Sequence, residues 1–137
     1  MMKKNDSNIN SPQVLISWGE LFDKITILQI KLENLTSKNA LKNVGREFKQ
    51  LHSILIKYFP NSIEAKQLEE ELKQINQQLW DIEDNIRDKE RKRSFDDEFI
   101  QLARSVYIIN DERSRIKRKI NDFFGSEFVE EKSYTEY

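Results

Sequence analysis

No cysteine occurs in this chain, which removes a disulfide framework, a thiol nucleophile and any cysteine-based metal site. Only three glycines and two prolines, Pro12 and Pro60, are present. So few turn residues argue against a many-stranded sheet. His52 is the single histidine, so a histidine metal site and a serine triad have no support, and it reads as a helix-surface residue. No run approaches the roughly 18 apolar residues that a membrane span needs. The opening stretch MMKKNDSNINSP also lacks the apolar core of an export signal, so a soluble, cytoplasmic protein with no membrane contact is expected. An excess of charge is missing too: the formal net charge is −1, which gives no global field to concentrate nucleic acid or acidic lipid.

What the chain does have is charge and thin apolar stripes. At 137 residues it is long enough for one domain with a modest core. Charged residues make up 34% and hydrophobic ones 37%, the balance of long helices rather than of a thick α/β core. The fold class is therefore all-α: an antiparallel bundle of about four helices with a long C-terminal helical hairpin and an ordered C-terminal tail. Residues 1–14 read as a disordered or loosely packed lead-in, 15–125 as the bundle, and 126–137 as the tail.

The first helix starts at Ser17, where Ser17 and Glu20 form a capping box and Ile16 and Leu21 a hydrophobic staple. Trp18, Leu21, Ile25, Leu28, Leu32 and Leu35 then step by three and four to a stop near residues 36–38. Leu41, Val44, Phe48, Leu51, Leu55 and Tyr58 mark a second helix that ends before Pro60. Gly45 is its weak point, costing about 1 kcal/mol against alanine unless another helix crosses closely there. A third helix runs from about Ser62 to Arg87 or beyond, with Leu68, Leu72, Ile75, Leu79, Ile82 and Ile86 as its seam. Ser94 and Asp97 suggest a second capping box, and the fourth helix then runs to Phe124, with a left-handed cap at Gly125. The tail keeps Phe128, Val129, Tyr134 and Tyr137, more apolar surface than a floating segment carries, so it is expected to dock on the bundle or a partner.

One position in the fourth stripe, between Ile109 and Ile116, is an arginine. With a hairpin turn near residue 91, Arg113 faces Glu69, Glu70 or Glu71, and the expected role is a register pin. Nearer the turn, Trp80, Glu83 and Arg87 share one side of helix three, across from Arg104, Tyr107, Asn110 and Asp111 on helix four. Lys24 and Lys31 can join from helix one. Arginines and lysines grip phosphate or carboxylate, aromatic rings stack, and carboxylates bind hydroxyls or move protons. These nine residues form the candidate ligand-binding surface, weighed against an ordinary salt-bridged helix surface.

The acids Asp81, Glu83, Asp84 and Asp88 hint at magnesium, but helix one offers only Glu20 and Asp23 opposite, so neither metal nor cofactor is expected. Residues 86–119 hold eleven Lys/Arg against seven Asp/Glu, and residues 120–137 hold five acids against one lysine. The expectation is a basic face shielded by an acidic tail rather than a nucleic-acid site.

The stretches SWGELFDKITILQIK (17–31), WDIEDNIR (80–87), FIQLARSVYIINDERSRIKRKIN (99–121) and GSEFVEEKSY (125–134) together resemble a family of short helical proteins of unknown function from bacteria and some marine phages. That resemblance implies no catalytic residue. It does imply a signature of polar positions around the seam, including the nine above with Glu20, Asp23, Glu130, Lys132 and Tyr134, and a context of surface-polysaccharide assembly. The expected function is a non-catalytic binding protein, plausibly a homodimer, that holds a protein partner or an anionic small ligand. The alternative is a small enzyme acting on a nucleotide-sugar or phosphosugar, with Glu83 or Asp111 as base and Arg87 and Arg104 on the phosphate.

Overall fold

The computed structural model describes residues 10–137, so most of the lead-in expected over 1–14 lies outside the described residues. Among the described residues there are four helices and no strand: α1 (Trp18–Asn34), α2 (Lys38–Tyr58), α3 (Ile63–Arg91) and α4 (Asp97–Phe124). Three of the four begin at a serine whose hydroxyl accepts a first-turn amide. Ser17 takes that of Glu20 at 3.1 Å, Ser37 that of Ala40 at 3.4 Å and Ser62 that of Ala65 at 3.0 Å.

The fourth start differs from the capping box expected at Ser94 and Asp97. The cap is Asp96, whose carboxylate accepts from the Phe99 amide at 3.0 Å, and Ser94 donates its hydroxyl to Asp96 instead. The cause lies in how α3 ends. Arg93 adopts a left-handed conformation (φ 52°) and donates its amide to Glu90, while the Ser94 amide reaches back to Lys89. This closing motif uses up residues 93 and 94, so the next helix can begin only after them. At the other end α4 closes on Gly125 (φ 68°), and the amide of Ser126 bonds the Asn121 carbonyl at 2.8 Å.

α1 is the hub. It packs against each of the other three helices, while the backbone of α2 comes close to α1 alone and α3 pairs with α4. Leu21, Phe22 and Ile25 of α1 meet Leu55 of α2, Ala65, Leu68 and Leu72 of α3 and Ile120 of α4 in one buried core. Each fully buried aliphatic or aromatic side chain there contributes roughly 1.5–3 kcal/mol. Trp18, Phe59 and Phe124 close its end, with ring centroids 4.9 Å apart for Trp18 and Phe59 and 4.3 Å for Phe59 and Phe124.

This core occupies only one end of the α3/α4 pair. No residue from 77 to 112 is buried, although the seam residues Leu79, Ile82, Ile86, Phe99, Leu102 and Ile109 continue through it. The pair therefore projects past α1 as a two-helix arm, whose α3 portion of about 15 residues spans about 22 Å at 1.5 Å per residue.

Of the helical glycines, Gly45 has nothing within 4 Å of where a Cβ would stand, so no helix crosses there. The close crossing is at Gly19. A Cβ on Gly19 would lie 2.5 Å from the Lys117 carbonyl oxygen, and its amide donates to Asn121 Oδ1 at 2.7 Å.

Candidate functional site

Where α1, α3, α4 and the tail meet, the interior is polar. Asp23, Thr26, Asn76, Lys117 and Asn121 are all buried. Buried polar atoms need partners, and these supply one another. Asn76 Nδ2 donates to Asp23 Oδ1 and to Thr26 Oγ1, each at 2.9 Å, and Thr26 donates to the Asp23 carbonyl. Lys117 Nζ donates to Glu20 at 3.0 Å and to Glu130 at 3.1 Å, with Asp23 Oδ2 3.8 Å away. Asn121 Oδ1 accepts from the Gly19 amide and from the Ser126 hydroxyl, and that hydroxyl in turn accepts from the Trp18 amide at 2.9 Å.

Burial pulls the pKa of Lys117 down, but hydrogen bonds to Glu20 and Glu130 and the charge of Asp23 outweigh it and hold the ammonium above its ordinary range. Such a lysine is a fixed cation and not an amine nucleophile. Glu130 is held below the usual carboxylate range by hydrogen bonds from Lys132 and then Lys117.

The tail lies against α4. Glu130 bridges Lys117 and Lys132, Glu131 accepts from both Arg118 terminal nitrogens at 3.3 and 3.5 Å, and the Tyr137 hydroxyl donates to Asp111 while its ring packs edge-on against Tyr107. Between α4 and the tail is a half-open cavity of about 180 Å³, with Ser114, Arg115, Lys117, Arg118 and Asn121 on the α4 side and Glu130, Glu131 and Lys132 on the tail side. The basic run and the acidic tail thus meet at this cleft.

The residues expected to form a ligand surface are distributed along the arm and α1. Glu83 and Arg87 pair with each other at 3.3 Å, both well exposed. Trp80 is half-buried. On α4, Arg104 is exposed and reaches only Gln101, Asn110 accepts from Arg113, and Tyr107 and Asp111 are joined through Tyr137. Lys24 is exposed and Lys31 half-buried on α1. No hydrogen bond or ion pair among the described residues links the α3 group to the α4 group.

These positions nevertheless share a side. Glu69, Lys73 and Asn76 of α3 touch Gln29, Glu33, Asp23 and Thr26 of α1, and the same helical flank continues through Trp80, Glu83 and Arg87. On α4, Lys117 and Asn121 touch α1, and their flank continues through Asn110 and Tyr107. Both run into the trough that α1 fills at the base and leaves open along the arm, while Arg104 and Asp111 sit farther round α4.

Arg113 is not the register pin expected of it. Its guanidinium donates to Asn110 on its own helix at 2.7 Å. The three glutamates have other partners: Glu69 accepts from Gln29, Glu70 from Gln74, and Glu71 lies 3.7 Å from Lys119. An arginine at a half-open seam can swing to solvent, so it need not find an acid across the seam. The Lys117, Asn76 and Asn121 contacts instead fix α3 and α4 each against α1. Little in the local pattern marks these: Asn76 sits beside a seam position, and Lys117 is one of five cations in a run of seven residues.

Among the described residues no group of three histidine, cysteine or acidic side chains is arranged to hold a metal ion, and no helix is long and apolar enough to cross a membrane. Over residues 12–136 the chain matches the model of a family of unknown function, DUF6165, and it belongs to that family. No curated protein and no solved structure matches it.

Proposed function

We propose, from a family membership that assigns no activity, that this chain is a non-catalytic helical binding protein, cytoplasmic, whose α3/α4 arm receives a helix in the trough left open beyond α1. The supporting observation is the seam from residue 77 to 112, where apolar residues continue but none is buried, and where Ile100, Val106 and Tyr107 remain exposed. At the base the same trough is filled by α1 through Leu21, Ile25 and Leu28. An amphipathic helix with apolar residues at three- and four-residue steps and charges for Glu83 and Arg87 fits the vacant part. The first partner to test is a second copy, because two arms laid side by side would cover each other's seams in a four-helix arrangement. Light scattering behind size exclusion at several concentrations should show a dimer that Ile86→Glu or Tyr107→Glu dissociates. A strictly monomeric mass throughout removes the homodimer.

The enzyme reading, action on a nucleotide-sugar or phosphosugar in surface-polysaccharide assembly, has less support. Its candidate bases are engaged elsewhere, Glu83 by Arg87 and Asp111 by Tyr137. Glu83 and Arg87, base and phosphate anchor in that reading, pair with each other, and Arg104 reaches only Gln101.

A further inference from the structure

We propose that the cleft between α4 and the tail is a binding site for a small molecule carrying two linked oxyanions, a diphosphate above all, and that Glu130 and Glu131 occupy it as a built-in competitor. The cleft already holds two adjacent anionic groups. Glu130 meets Lys117 and Lys132, and Glu131 is gripped by both terminal nitrogens of Arg118, the fork geometry by which guanidinium takes a carboxylate or a phosphate. Arg115 lines the same cavity, of about 180 Å³ with the two glutamates in place as part of its wall.

Lys117 is a prepositioned anchor. It is buried, kept charged and fixed from behind by Glu20 and Asp23, so it would not lose its support if Glu130 left. The tail, by contrast, is held lightly. It has no regular secondary structure, and its last backbone hydrogen bond to the bundle is that of Ser126; beyond it the attachments are side-chain contacts. The carboxylates of Glu130 and Glu131 are 43% and 75% exposed, and ion pairs so exposed are individually weak. A ligand with higher charge density can therefore displace them. Its apparent affinity is reduced by the fraction of time the tail is closed, so removing the tail's charge must raise it.

The test is calorimetric titration of the full chain with inorganic pyrophosphate at constant ionic strength, with orthophosphate and malonate as comparison anions. Pyrophosphate should bind the wild-type chain, and the double variant Glu130→Gln/Glu131→Gln should bind it about tenfold tighter, by relief of competition. Both glutamates are exposed enough that neutralising them leaves the fold intact. Arg118→Ala should weaken binding at least fivefold at unchanged melting temperature. Pyrophosphate should also speed chymotryptic cleavage after Phe128 and Tyr134 in the wild type, because the tail is released. Malonate binding as tightly as pyrophosphate would overturn the phosphate assignment. Equal affinity in wild type and double variant, or no binding by the double variant, would overturn the site.

Discussion

Two helical glycines carry opposite consequences at the scale of single residues. At Gly19 a methyl group would collide with the backbone of α4 and push away the Asn121 side-chain oxygen that its amide needs. Gly19→Ala should therefore cost about 1–3 kcal/mol in urea unfolding, as overpacking generally does. Gly45 meets nothing, so Gly45→Ala should stabilise by up to about 1 kcal/mol through helix propensity alone. If both substitutions destabilise alike, the crossing is not where the structure has it. Composition marks both glycines as weak helix formers, but only packing distinguishes them, since the collision partner of Gly19 lies about a hundred residues away in sequence. Lys117 was obscure for the same reason. Among neighbouring lysines and arginines nothing local sets it apart, and its three carboxylates come from α1 and the tail.

The helices themselves were legible because their causes are local. Apolar steps of three and four, serine caps and the glycine after Phe124 are written within a few residues of what they determine. The one misplaced start, at α4, came from the way α3 ends, which depends on a left-handed arginine that no propensity favours. The true cap gives a pH prediction. The Phe99 amide and Lys89 hold the Asp96 carboxylate down at about 2. A carboxyl depressed in the folded state stabilises above its ordinary pKa and loses that contribution as pH falls through the folded value. The wild type should lose melting temperature relative to Asp96→Asn between about pH 4 and pH 2, because asparagine also caps but does not titrate. Parallel curves over that range would show that Asp96 does not carry the cap.

At the scale of the whole molecule, one end is a closed core and the other a bare pair of helices. Amide exchange should divide the same way. At concentrations low enough to keep the chain monomeric, residues 80–110 should exchange much faster than residues 21–30 and 116–121, since local opening of the arm exposes no buried side chain. Uniform protection in the isolated chain would mean the arm is already covered. The bundle class was readable from the stripes, but how far α1 reaches along α3 and α4 was not, because identical stripes serve covered and uncovered stretches. The cleft was legible only as a basic run and an acidic tail, and none of the nine residues named for a ligand surface lines it: the tail's position on α4 follows from pairings that sequence spacing does not dictate.

The Gly19–Asn121 crossing also bears on how the chain is made. Its two residues are 102 positions apart, so the surface on which α1 closes does not exist until α4 has been synthesised. The α3/α4 hairpin is local and can form early, whereas the core is non-local and must wait. At about 5–20 residues per second, Leu21, Phe22 and Ile25 would wait roughly 5–20 s behind the ribosome for Ile120, covered until then only by α2 and α3. The helix that becomes the centre of the fold is thus the one that depends longest on not finding another apolar surface first.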